Sequence, residues 1–221
     1  MAGKITALRF QKRNKDRVNV YVDGRFAFGL AAIEAARLRV GQALDDDDIA
    51  RLQAQDEVER AYARALDFLS YRPRSEAEVR RRLCKKEVDD ACIDAVIERL
   101  KRAELLDDWE FARYWVKNRL QFRPRGVRAL RHELWEKGVP DAVIADVLVD
   151  FDEDVAARKA AEAGARRLAH LDPDDFRHRL SAYLARRGFS YGVVEPLIEE
   201  VLEMVRCEDL SSIESEEKGN G

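Results

Sequence analysis

The 221-residue chain is short of the residues that build most recognisable chemical sites. Its cysteines, Cys84, Cys92 and Cys207, are odd in number and follow no CxxC spacing, which excludes a disulfide framework and a cysteine zinc site. Cys84 stands beside Lys85 and Lys86, a setting that lowers a thiol pKa. A plain buried cysteine on an apolar face is nevertheless the expectation for it, as for Cys92. His132, His170 and His178 form no HExxH, and surface or core contacts are expected of them rather than metal ligation. The eleven glycines fit neither GxGxxG nor a phosphate-binding P-loop. No apolar run approaches the ~20 residues of a bilayer span, and the opening MAGKITALRF lacks the apolar core of a signal peptide. No catalytic residues, cofactor or metal are expected, and an intracellular, cytoplasmic, non-enzymatic protein follows. Neither sign of charge dominates: 40 Lys and Arg against 43 Asp and Glu leave a net of −3, which at first sight argues against a polyanionic partner.

Much else is plentiful. Hydrophobic residues make up 46% of the chain, enough for a core, and charged residues 38%, against roughly 25% in ordinary globular proteins. Five prolines among many Ala, Leu, Arg and Glu point to helices. The N-terminal part is different. Arg17 to Phe28 alternates, with Val18, Val20 and Val22 on one face and Asp23-Gly24 as a hairpin turn. Ile5 to Phe10 can add a third strand, and so small a sheet must pack on a helix. Leu30 to Leu38 reads as a short helix ending near Gly41. Asp45 to Asp48 suits the first turn of a long helix, where acids meet the positive end of the macrodipole. That helix runs through Leu69 and stops by Arg72, because Pro73 restricts the residue before it. Ser75 to Glu78 is a capping box opening the next one.

The chain then repeats itself. Tyr71-Arg-Pro-Arg74 returns as Phe122-Arg-Pro-Arg125, Leu83 as Leu134, Lys86 as Lys137, Val88 as Val139 and Ile93 as Ile144, each 51 residues on. A weaker third copy follows 50 residues later, pairing Leu130 with Leu180, Gly138 with Gly188 and Ile144 with Val194. It carries Leu171-Asp-Pro-Asp174 in place of the Arg-Pro-Arg corner and Pro196 inside its last helix. Either that helix starts late, with the proline in its first turn, or it is kinked. The expected fold is mainly α: an elongated array of three tandem three-helix repeats with a small N-terminal antiparallel β-hairpin extension. The expected boundaries are 1–43 for the hairpin and short helix, 44–106, 107–151 and 152–206 for the repeats, and 207–221 for an acidic disordered tail.

Counting by segment dissolves the charge balance. Residues 1–40 carry nine basic residues against three acids, and 72–86 seven against two. Residues 111–132 carry seven and no acid. The basic segments recur at matching places, so a stripe of cations facing a linear polyanion or an acidic filament is expected. Its candidate members are Arg72, Arg74, Arg80, Arg81, Lys86, Arg119, Arg123, Arg125, Arg128, Arg131, Lys137, Arg186 and Arg187. The competing reading is a solvated helix face paired with nearby acids. Trp109, Trp115 and Trp135 with Phe111 and Tyr114 crowd the middle repeat, and most are expected in its core.

ALDFLSYRPRSEAEVRRRL, DDWEFARYWVKNRLQFRPRGVRALRHELWEKGV and RHRLSAYLARRGFSYGVV, in this order, resemble the three repeat signatures of the RecX family, regulators of the bacterial RecA recombinase. The opening ITALRFQKRNKDRVNVYVDGRFAFGL is similar to the β-hairpin extension of some members. Glu87 departs from the pattern by replacing the glycine usual after the lysine. The resemblance implies a non-enzymatic monomer that binds RecA and the RecA–single-stranded DNA filament along its groove. It further implies inhibition of ATP hydrolysis, strand exchange and coprotease activity, with roles in recombination, DNA repair and the SOS response. The alternatives are a direct single- or double-stranded DNA binder and a helical-repeat adaptor for another protein.

Overall fold

The computed structural model describes the backbone of residues 3–217 and side chains as far as Arg206. The acidic segment expected as a tail from Cys207 falls outside the described side chains, and residues 218–221 fall outside the described residues altogether. The chain divides into two compact units, Met1–Asp107 and Asp108–Gly221.

In the first unit, β1 (Gly3–Phe10), β2 (Arg17–Val22) and β3 (Arg25–Ala31) form an antiparallel meander. Asp23 (φ 48°) and Gly24 (φ 81°) are both left-handed, the geometry of a two-residue turn whose twist matches that of the strands. A two-residue strand, β4 (Ala43–Leu44), pairs with β1, so the hairpin becomes a four-stranded sheet in the order β3-β2-β1-β4. Period-2 alternation puts Val18, Val20 and Val22 with Ile5, Phe28 and Leu30 on one buried face. Leu30 belongs to β3, not to a helix: it pairs with Val18 and is fully buried, and the helix α1 spans only Ala32–Ala35. The long helix α2 (Asp46–Ser70) covers the sheet with Ile49 and Leu52. Asp56 of α2, 5% exposed, accepts from both terminal guanidinium nitrogens of Arg17 (3.1 and 2.8 Å) and from the Ala31 amide (2.9 Å), which satisfies a carboxylate that would be costly to bury alone.

Asp45 caps α2 in a box with Asp48, and Ser75 caps α3 (Glu76–Cys84) in a box with Glu78. α4 (Asp90–Arg102), capped by Asp89, closes the first three-helix repeat around Ala61, Val79, Leu83, Ile93 and Leu100. Cys84 is exposed, contrary to expectation, because Val79 and Leu83 occupy the core side of α3. Cys92 is buried, and that burial, aided by Glu57 and Asp89, pushes its thiol pKa up.

The second unit holds two further repeats: α5 (Asp108–Phe122), α6 (Val127–Glu136) and α7 (Asp141–Val149), then α8 (Glu153–Ala165), α9 (Pro173–Arg186) and α10 (Tyr191–Glu217). The repeat is structural. Helices begin at Glu76 and Val127, and at Asp90, Asp141 and Tyr191. Val79, Leu130 and Leu180 are buried equivalents, as are Leu83, Leu134 and Leu184. The middle helices end alike: the carbonyls of Leu83, Leu134 and Leu184 accept from the amides of Val88, Val139 and Phe189. This cap needs a left-handed residue before the last amide, and Glu87 (φ 58°), Gly138 (80°) and Gly188 (85°) supply it. The last helix does not start late: Val193 and Val194 donate to the Ser190 carbonyl, and Pro196 sits in the second turn.

Candidate functional site: arginines without counter-charges

In the first repeat Arg72, Arg74 and Arg80 are answered by carboxylates. Arg72 forms two hydrogen bonds with Glu78 (3.2 and 2.8 Å). Arg74 turns inward, its guanidinium 4.0 Å above the Phe68 ring and 3.9 Å from Glu78. Burial first, then the neighbouring Arg72 and Arg82, lower its pKa against the pull of Glu78. Arg80 donates to Glu76 (2.7 Å) and Asp94 (2.6 Å), and these two bonds raise its pKa over the opposing effect of burial. Burial disfavours the ionised form of Glu76, but bonds from Lys101 and Arg80 prevail and hold its carboxyl below the ordinary value. Arg81 donates to the Ala77 carbonyl (3.1 Å), and Lys86 is exposed with no side-chain partner among the described residues.

Fifty-one residues on, the carboxylates are missing. Glu76, Glu78 and Asp94 become Val127, Ala129 and Ala145, while Arg72 and Arg80 remain as Arg123 and Arg131. Arg123, Arg128 and Arg131 are exposed and have no side-chain partner among the described residues. Their neighbours are held: Arg119 donates to Glu133 (2.6 Å) and stacks on Trp115 (4.3 Å), Arg125 lies 3.5 Å from Glu133, and Lys137 lies 5.0 Å from the Trp115 ring. Arg128 and Arg131 share the side of α6 away from Leu130 and Leu134, together with His132 and Trp135. Trp135 is 62% exposed and stacks on His132 (centroids 6.2 Å apart). The expectation that most middle-repeat aromatics are core holds for Phe111 and partly for Trp115, but Trp109, Tyr114 and Trp135 are exposed. Trp109, at the start of α5, donates to Asp146 and lies under Arg113 instead of entering the core.

A close backbone contact explains the lost carboxylate. Gly126, at the start of α6, donates to the Arg187 carbonyl (3.0 Å), and the Arg187 guanidinium donates back to the Pro124 carbonyl (3.1 Å). A Cβ on Gly126 would lie 2.3 Å from the Gly188 carbonyl oxygen, and one on Gly188 would lie 2.6 Å from the Ala129 Cβ. Residue 129 packs against the next repeat, so a small side chain stands where Glu78 stands in the first. Arg187 is therefore a clamp, with its guanidinium also over Tyr183, whereas Arg186 is exposed and without a side-chain partner among the described residues. Arg186 lines an open groove of about 460 Å³ with Arg167, His178 and Arg179. Sequence reading missed those last three, although all are legible as exposed-face residues of the third repeat. It also missed the neutralising role of Glu76, Glu78 and Asp94, which aligning the acids at the 51-residue offset reveals.

No helix among the described residues is long and apolar enough to cross a membrane, and no group of His, Cys, Asp and Glu there could hold a metal ion. Four family models match the chain in order: the regulatory protein RecX N-terminal domain over residues 3–45, and the RecX first, second and third three-helix domains over residues 61–100, 107–148 and 152–198. Proteins named regulatory protein RecX from Bacillus licheniformis and Bacillus subtilis are each 36% identical, over 89% of this chain and 76% of their own length. A crystal structure of regulatory protein RecX superposes with a TM-score of 0.72 at 29% identity, covering 90% of this chain and all of the other. A second, of RecX from Lactobacillus salivarius, gives 0.60 at 25% identity over 68% of this chain and 99% of its own. With four ordered domain matches and relatives of this similarity along most of its length, the chain belongs to the RecX family of regulatory proteins.

Proposed function

We propose that this protein regulates RecA by binding the RecA–single-stranded DNA filament along its groove, acting as a monomer in the cytoplasm and without chemistry of its own. Bound there, it inhibits ATP hydrolysis, strand exchange and coprotease activity, and so restrains recombination, DNA repair and the SOS response. The observation that carries the reading is the set of exposed, uncompensated arginines Arg123, Arg128 and Arg131, in a chain of this family. An arginine already paired must break that pair before it serves a partner; an unpaired one offers its planar fork to carboxylate or phosphate at once. Of the thirteen candidate residues, Arg123, Arg128, Arg131, Arg186 and Lys86 are those proposed to meet the partner directly. Arg74, Arg119, Arg125 and Arg187 hold the scaffold.

The test is the DNA-dependent ATPase of cognate RecA, titrated with this protein. Inhibition that saturates supports the reading. Full ATPase activity at excess of folded protein would sink it. A direct DNA binder would instead bind bare single strands as tightly as the filament, and an adaptor for another protein would bind neither.

A further inference from the structure

The N-terminal sheet presents a second surface that the arginines of the repeats do not explain. Its valine face is buried, so the opposite face is the one left to solvent. There Ala7, Tyr21 and Phe26 stand in one row across three strands, through the pairings Ala7–Tyr21 and Tyr21–Phe26. Phe26 is 58% exposed and meets Tyr21 edge-to-face, with centroids 6.1 Å apart. The Arg9 guanidinium lies 5.2 Å from the centre of the Tyr21 ring. Neither an exposed phenylalanine nor an arginine held over the half-buried Tyr21 ring adds to the core beneath. Around this row Lys4, Arg9, Lys12, Arg13, Lys15 and Arg25 are exposed, and none has a side-chain ion pair among the described residues. The carboxylates of the strands and their two turns are Asp16 and Asp23, and Asp23 is engaged by the Lys4 amide at 3.0 Å.

We infer that this face is a binding platform for single-stranded nucleic acid, with bases stacking on Phe26 and Tyr21 and the phosphates following the surrounding cations. An antiparallel sheet with aromatics on its open face stacks unpaired bases because every base has a π-face, and duplexes cannot offer theirs. An acidic peptide would satisfy the cations but would have no use for the row of rings. The small Ala7 lets a flat partner approach the sheet closely. The inference does not rest on RecA, and it assigns a role to the segment that the repeats leave unemployed.

The experiment uses the full chain without RecA, and a fluorescently labelled oligo-dT of about twenty nucleotides read by anisotropy at several salt concentrations. The background is Arg123→Gln, Arg128→Gln and Arg131→Gln, to remove the contribution of the repeats. Phe26→Ala is expected to weaken binding about tenfold with the salt slope unchanged, the signature of a lost stacked base. Phe26→Tyr is expected to restore it. Lys12→Gln, Arg13→Gln and Lys15→Gln together, on a loop outside the core, are expected to reduce the slope of log affinity against log salt by about 2. Parent-like affinity of a folded Phe26→Ala variant would overturn the platform, as would loss only in the loop variant. Competition by polyglutamate as strong as by unlabelled oligo-dT would overturn it too. Because RecA is absent, any of these failures leaves the regulatory reading untouched, and failure of ATPase inhibition leaves this one untouched.

Discussion

Arg72 and Arg123 occupy the same corner of successive repeats, but Arg72 meets Glu78, whereas the position of Glu78 is Ala129 in the second repeat. Removing the charge should therefore act differently at the two positions. Arg72→Gln removes two charged hydrogen bonds from a mostly buried carboxylate that keeps Arg74 and the Ser75 amide, and is expected to cost about 1 kcal/mol, the value of a partly screened charged hydrogen bond. Arg123→Gln, at an exposed unpaired position, should stay within about 0.5 kcal/mol of the parent; chemical denaturation of both variants compares them. Glu76 adds a pH signature. Its folded pKa is depressed, so the stability it contributes is present above the pKa of an unfolded glutamate and disappears as pH falls through the folded value. Glu76→Gln is expected to be less stable than the parent at neutral pH, with the difference vanishing in acid. Equal stability of the two at pH 7 would contradict this. At Glu87 the left-handed backbone costs a non-glycine residue ~1–2 kcal/mol, partly offset by the greater freedom a glycine would have when unfolded. Glu87→Gly is accordingly expected to raise Tm by about 2 to 3 °C.

At the scale of elements, the helices follow from local chemistry that the sequence displays openly. Asp45 with Asp48, and Ser75 with Glu78, read as helix starts and form reciprocal capping boxes. The valine alternation and the Asp23-Gly24 turn read as a hairpin and form one. What escaped reading depends on distant partners. β4 is two residues long and exists because β1 offers it an edge. Leu30 fits a helix pattern until the sheet buries it. Cys84 and Trp135 sit next to apolar residues in the chain but turn to solvent, because neighbours at helical spacing take the core side. The recurrence of arginines at the repeat spacing is visible in the sequence, while their division into neutralised and free members depends on which acids lie opposite in space. The contact between Gly126 and Gly188 was equally hidden, since a glycine at a helix start has several other reasons to exist. Gly126→Ala forces its Cβ into the Gly188 carbonyl, which is backbone and cannot swing aside. A loss of roughly 1–3 kcal/mol is expected, read by thermal unfolding, and Tm unchanged from the parent would mean the contact is loose.

For the whole molecule, the net charge of −3 is a sum of opposites and describes no part of the surface. Cations collect around the open face of the N-terminal sheet and on the outer side of α6, where Arg128 and Arg131 have no side-chain partner among the described residues. Regulation by a protein of this kind would then depend on a few unpaired guanidinium groups more than on its total of forty basic residues. The most direct measurement is the concentration of protein that half-inhibits the RecA ATPase, for the parent and for the Arg123→Gln, Arg128→Gln, Arg131→Gln variant. Three surface pairs at about 0.5 kcal/mol each predict a shift of about tenfold toward higher concentration, with Tm unchanged. Equal half-inhibition by the parent and the folded variant would contradict the account.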